Sequence, residues 1–163
     1  SRAPGIVSIR ALWLLGTMEE SHFIAFATLL DLCSMIGGLS IPSHNDFNDR
    51  PIPNCQLGPN VSIGNLVYML QDVGLIADPI STQRNVQKGS TLIAQYGNAT
   101  VIIECRDALT INGIMLTGLG NSVAAFCERK HNPLGFEIHC SWLSKLNKEK
   151  FPQTKLPTPE SNL

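Results

Sequence analysis

Apolar, β-prone runs separated by polar turn residues fill the stretch 90–143, and this pattern predicts an antiparallel meander. Two pairs of turn residues divide this region, Gly97-Asn98 and Asn112-Gly113. Asn and Gly suit two-residue hairpins because they adopt the positive φ angles that match the twist of the flanking strands. The strands predicted around these turns are 90–96, 99–105, 109–111 and 114–117.

Alternation of apolar and polar residues predicts three further strands. The clearest of them, 136–142, follows the strong turn at 132–135 and places a polar residue at every second position. The other two are 5–15 and a short edge strand at 76–81, which Pro79 interrupts.

Polar or glycine-rich segments connect these elements. The stretch 83–89 is interpreted as a loop, and 118–121 as a hairpin connection and not as a phosphate-binding loop, because it lacks the third glycine and the Lys-Ser/Thr pair. The segment 122–129 fits either a strand or a helix.

Two helices are predicted from the positions of the apolar residues and of the capping residues. The first, 18–36, begins after the capping residue Thr17 and carries apolar residues around most of its circumference. We therefore expect it to be buried on several sides, either as the central helix of the domain or as half of a dimer interface. The second, 63–73, has one apolar stripe and therefore one buried face.

A long segment, 38–61, contains four prolines and several Asn and Asp residues, which predicts a loop. Loops of this length are often functional, so it is the first candidate for a contact site. Together these elements predict the α+β fold class, with an antiparallel sheet of about five or six strands packed against two helices. Residues 1–146 are expected to form one domain, and 147–163 an extended Pro- and Lys-rich tail.

Charge and hydropathy exclude several classes of function. The formal net charge is −1, and neither half of the chain is strongly basic, so no nucleic-acid partner is expected. The longest apolar run, 23–36, contains Asp31 and is too short to cross a bilayer, so no membrane partner is expected. Only 15% of the residues are charged, which favours a surface that another protein covers.

The cysteines predict free thiols rather than disulfides. Five of them stand at wide spacing with no CxxC motif, which is typical of a reduced, cytoplasmic protein. Cys127, His131, His139 and Cys140 are ligand types for a metal, but adjacent residues of a strand point to opposite faces, so His139 and Cys140 do not share an ion readily. We therefore expect neither a metal nor any other cofactor.

Two classes of function remain after these exclusions. The first is a non-enzymatic interaction module, such as an inhibitor, an immunity-type protein or an assembly protein, that binds a protein partner or forms a homo-oligomer. The second is a small enzyme or ligand-binding domain whose site lies in the 38–61 loop, with Cys55 as the thiol and His44 as its base. The partner-binding residues predicted for the first class are Asp46, Asp49 and Arg50 of the loop and Glu104, Arg106 and His139 on an outward strand face.

Overall fold

The computed structural model describes residues 9–36, 39–41, 47–77 and 83–149. Within these ranges the chain forms five helices and six strands. The helices are α1 (Ile9–Thr17), α2 (Glu20–Leu32), α3 (Ile63–Asp72), α4 (Gly118–Ala124) and α5 (Pro133–Glu149). The strands are β1 (Ser34–Ile36), β2 (Leu39–Ile41), β3 (Gln83–Val86), β4 (Thr91–Tyr96), β5 (Ala99–Glu104) and β6 (Leu109–Asn112).

The strands form two antiparallel sheets, which confirms the α+β class but not the single sheet of five or six strands. One sheet has the order β2-β1-β4-β5, and the other pairs β3 with β6. The described part of the chain also contains more helix than the two helices predicted. None of the described helices combines the length and apolarity that a membrane crossing requires.

A single bent hairpin supplies strands to both sheets. Val86 pairs with Leu109 in one sheet, and Thr91 pairs with Glu104 in the other. Four residues on each strand, 87–90 and 105–108, lie between these two pairs, so the register of pairing is the same before and after the bend. The tip of this hairpin is the predicted Gly97-Asn98 turn. Only Gly97 has a positive φ there, 56°, which fits a turn with Gly at its first central position better than one with two such residues.

The first predicted strand, 5–15, is wrong from residue 9 onward. Residues from Ile9 onward form α1 instead, because Leu14, Leu15 and Met18 recur at helical spacing and contact the larger hydrophobic core. The part of that prediction before residue 9 lies outside the described residues.

Helix α2 is the centre of the larger core, which is one of the two placements that its sequence allows. Five of its thirteen residues are buried, and Leu29 and Leu30 are fully enclosed. The helix ends four residues earlier than predicted, because the backbone becomes extended at Cys33 and continues as β1. The predicted surface helix is confirmed as α3, where Ser62 and Asn65 cap the first turn reciprocally.

The last predicted strand, 136–142, is wrong: these residues belong to α5. Leu134 is buried, and so are Ile138 and His139, which follow it by four and five residues. Residues at this spacing share one face of a helix, and this face of α5 packs against α2, β1 and β4. The alternation of apolar residues in this segment is therefore incidental to the helix.

Three connections also differ from the predictions. Residues 83–86 form β3 and not a loop, and they pair with β6. The described strand pairings do not include the predicted hairpin between β6 and 114–117. Leu116 instead bridges to Ile76, the first residue of the predicted edge strand, of which only 76–77 are described. The glycines at 118 and 120 begin α4, capped by Thr117, rather than a hairpin connection.

Candidate interaction surface

The outward face of the β4–β5 hairpin carries an exposed apolar pair. Ile93 and Ile102 lie directly opposite each other in the ladder and are 54% and 68% exposed. The inward residues of the same strands, including Leu92 and Ile103, are buried in the smaller hydrophobic core. The two isoleucines are therefore not needed for that core, and they stand together on the opposite side of the sheet.

The remaining residues of this face are exposed and mostly uncharged. Thr91 lies opposite Glu104, and Gln95 lies opposite Thr100. Glu104 is the one ionisable group among these six residues, and it stands at the end of β5. We call the six residues the ribbon face: Thr91, Ile93, Gln95, Thr100, Ile102 and Glu104.

Strand β5 is also the last strand of its sheet among the described strands, so one of its edges is open. Cys105, which follows β5, donates its N–H to Ser90 O at 2.8 Å and accepts from the N–H of Gly89 at 2.7 Å. The main-chain groups of Cys105 therefore point toward the β4 side. Because these groups alternate in direction along a strand, the N–H and C=O groups of alternate residues in β5 point away from β4. These residues are Thr100, Ile102 and Glu104.

The open edge carries few of the features that usually prevent strand pairing. Natural edge strands are protected by charged side chains, by Pro, by bulges or by short length, and the only charged side chain of β5 is Glu104 at its end. Strand β5 has six residues, Ala99–Glu104, with neither Pro nor Lys among them, and its pairing with β4 is continuous. Within the described residues, the structure gives no hydrogen-bond partner to the main-chain groups of Thr100, Ile102 and Glu104 on this edge.

Of the predicted partner-binding residues, Glu104 lies on the ribbon face and Arg106 is exposed in the bend that follows it. The structure gives neither of them an ion pair within the described ranges. Asp49 is exposed in the turn after Phe47, while Asp46 lies outside the described residues. These positions leave the predicted roles of Glu104, Arg106 and Asp49 as predictions.

Arg50 is engaged within the chain. Its guanidinium donates two hydrogen bonds to the Glu137 carboxylate, at 2.7 and 3.2 Å, and lies over the Phe47 ring, 5.1 Å from the ring centroid. These hydrogen bonds raise the pKa of Arg50 and lower the pKa of Glu137. The pair connects the loop to α5, so Arg50 has a structural partner inside the protein.

His139 is not on an outward strand face. It lies on the buried side of α5 with no exposed surface, where the Tyr96 ring stacks on it with centroids 5.8 Å apart. Its Nδ1 lies 2.5 Å from Ser34 Oγ, and burial lowers its pKa. The sequence-based placement failed because it assumed a strand, in which the polar member of each pair faces water.

The described part of the 38–61 segment is anchored to the core and is not a free loop. Phe47 and Ile52 are buried, and the Ile52 N–H donates to Val61 O at 2.8 Å. Cys55 is half-buried against the larger core, while His44 lies outside the described residues. The predicted pairing of this thiol with His44 therefore stays a prediction.

The described residues contain no cluster of three or more His, Cys, Asp and Glu side chains that could hold a metal ion. All five cysteines are free, as the sequence predicts. A groove of about 540 Å³ lies between α1, the end of α3 and the start of α4, with Trp13 and Leu119 on its walls. Among the described residues, no charged side chain lines this groove, and its lining includes no pair of groups suited to acid–base chemistry.

The chain was compared with protein-family models, with curated proteins and with solved structures, and none of these comparisons finds a match. The ribbon face and its open edge are therefore interpreted from their own chemistry.

Proposed function

We propose that this protein is a non-enzymatic interaction module. Its partner is another polypeptide, which contributes one strand that pairs with the open edge of β5. The observation that carries the proposal is the open edge itself, with the N–H and C=O groups of three alternate residues directed outward. Main-chain hydrogen bonds along such an edge provide affinity, and side chains beside it provide specificity.

The ribbon face supplies the side-chain part of this recognition. Ile102 lies on the strand that would receive the partner, and Ile93 lies next to it on β4. An added strand would place its own outward side chains beside Ile102 and withdraw that isoleucine from water. Removal of this apolar area from water favours association.

The experiment places a photo-crosslinking amino acid, p-benzoylphenylalanine, at position 102 and irradiates the protein in an extract of the cells that produce it. The control places the same group at Tyr68, which is 75% exposed on α3. We expect adducts to form from position 102 in clear excess over those from position 68.

A second variant tests whether the adducts depend on the open edge. Thr100→Pro removes one outward N–H without removing a bond to β4, and proline is tolerated at such edge positions. In this background the adducts from position 102 should fall at least several-fold, while circular dichroism remains unchanged. Adducts that persist, or that are equal at positions 102 and 68, would contradict the proposal.

A further inference from the structure

We infer that the strand added to β5 is β5 of a second copy of this chain, arranged antiparallel with Ile102 opposite Ile102. This inference rests on the proposed function, because it names the occupant of the same edge. It follows from the direction of the main-chain groups in β5, from its side-chain order and from the charge of the protein.

The direction of the main-chain groups limits the possible registers. In an antiparallel pair, residues that lie opposite each other either both point their N–H and C=O groups at the partner strand or both point them away. The outward-pointing residues of β5 are the even-numbered ones, so only pairings of even with even residues satisfy this condition. Each such pairing has two-fold symmetry, and it leaves both ribbon faces on the same side of one continuous sheet.

The register centred on Ile102 uses the whole edge. It pairs Ile102 with its copy and pairs Thr100 with Glu104 in both directions, so all three outward-pointing residues of each copy take part. Each hydrogen-bonded pair exchanges two bonds, which gives about six bonds between the copies. A shift of this centre to Val101 or Ile103 leaves only two such pairs, hence about four bonds within β5.

The side chains agree with this register. The carboxylate of Glu104 lies opposite the hydroxyl of Thr100 of the second copy, so no like charges face each other across the junction. A register centred on Glu104 would instead oppose two carboxylates. In the Ile102-centred register, Ile93 and Ile102 of both copies form one apolar stripe across the four central strands.

The charge and size of the protein set the expected strength of this pairing. The chain carries 12 Lys and Arg against 13 Asp and Glu, so two copies repel each other little at neutral pH. Contact through a six-residue edge is small, in the class below about 1,200 Å². We therefore expect a reversible dimer that forms at micromolar or higher concentration, and not an obligate one.

Amide hydrogen exchange of the purified chain, measured by NMR over a range of protein concentration, reads the pairing residue by residue. We expect exchange at Thr100, Ile102 and Glu104 to slow by about fivefold to tenfold once most of the protein is dimeric, because only the monomer exposes these groups. Exchange at Val101 and Ile103 should not follow concentration, since their N–H groups already bond to β4. Slowing that is equal at all five residues, or that is absent at a concentration where sedimentation shows a dimer, would overturn the inference.

Sedimentation of three variants provides the matched control. Ile102→Lys places a charge at the two-fold axis, and Thr100→Pro removes an outward donor, so both should weaken dimerisation at least tenfold while the thermal midpoint stays close to that of the parent. Tyr68→Lys introduces the same charge on α3 and should leave dimerisation unchanged. If all three variants dimerise like the parent, the edge is not the contact.

The outcomes separate this inference from the proposed function. A chain that remains monomeric at several hundred micromolar overturns self-pairing. If position 102 then still forms edge-dependent adducts in the cell extract, another protein occupies β5 and the proposed function stands. If those adducts are also missing, both proposals fail.

Discussion

Ser34 and His139 are 105 residues apart in the chain, yet Ser34 Oγ and His139 Nδ1 lie 2.5 Å apart in the interior. This contact joins the start of β1 to the middle of α5. The other ring nitrogen, Nε2, is buried and has no hydrogen-bond partner within the described residues. Because a charged imidazole would be costly in this position, the fold favours the neutral ring.

The buried His139 predicts a pH dependence of stability. Its pKa in the folded protein is lowered from the ordinary value of 6.5, so the unfolded chain binds this proton more tightly. The stabilising contribution is therefore complete above about pH 6.5 and is lost as pH falls toward the folded pKa. We expect urea denaturation between pH 5 and 8 to show a lower free energy of unfolding at the acidic end.

Two variants assign this effect to the residue. His139→Gln should remove the pH dependence in this window, whatever its effect on overall stability. His131→Gln, at an exposed position, should retain it. A dependence that survives in His139→Gln would show that another group is responsible.

Helix α2 should be sensitive to the loss of core volume. Leu30 is 1% exposed, so Leu30→Ala is expected to lower the free energy of unfolding by about 2–5 kcal/mol, through lost burial and the cavity left behind. Leu12→Ala makes the same change on the exposed side of α1 and should alter it by less than about 0.5 kcal/mol. Chemical denaturation measures the free energy of unfolding of both variants. Equal midpoints for the two would contradict the assignment of α2 to the core.

Gly135 allows α5 to approach α2 closely. A Cβ atom at this position would lie 2.9 Å from both Asp31 O and Leu32 Cα, which are backbone atoms and cannot rotate away. Gly135→Ala should therefore destabilise the protein by about 1–3 kcal/mol. Gly118→Ala introduces a methyl group where no atom lies within 4 Å, and thermal denaturation should find it neutral or slightly stabilising.

The free thiols should differ in reactivity in the folded protein. Burial raises the pKa of Cys33 to about 12, and Cys105 is also buried, so a maleimide reagent at pH 7.5 should leave both unmodified. Cys55, Cys127 and Cys140 are partly exposed and should react. All five thiols should react in denaturant, and mass spectrometry gives the number of labels on each chain. Fewer than four labelled thiols after denaturation would contradict the free-thiol prediction.

Part of the candidate surface could be predicted from the sequence. The order of residues in 99–105 already places Ile102 and Glu104 on one face, because side chains alternate with a period of two along a strand. The turn at Gly97 then determines which residue of β4 lies opposite each residue of β5. The location of the open edge could not be predicted, since it depends on which strand is left without a neighbour when the sheet assembles.

By itself, the amino-acid order determined the features that depend on neighbours in the chain: the capped helix α3, the apolar helix α2, and the hairpin of β4 and β5. Tertiary structure decided the elements whose local pattern was ambiguous. Phe136 to Trp142 alternates like a strand, but burying Leu134, Ile138 and Leu143 together against α2 and the sheet requires a helix. The same packing buries His139 against Ser34 and places Arg50 beside Glu137. Contacts between segments so far apart in the chain form only when the core has assembled.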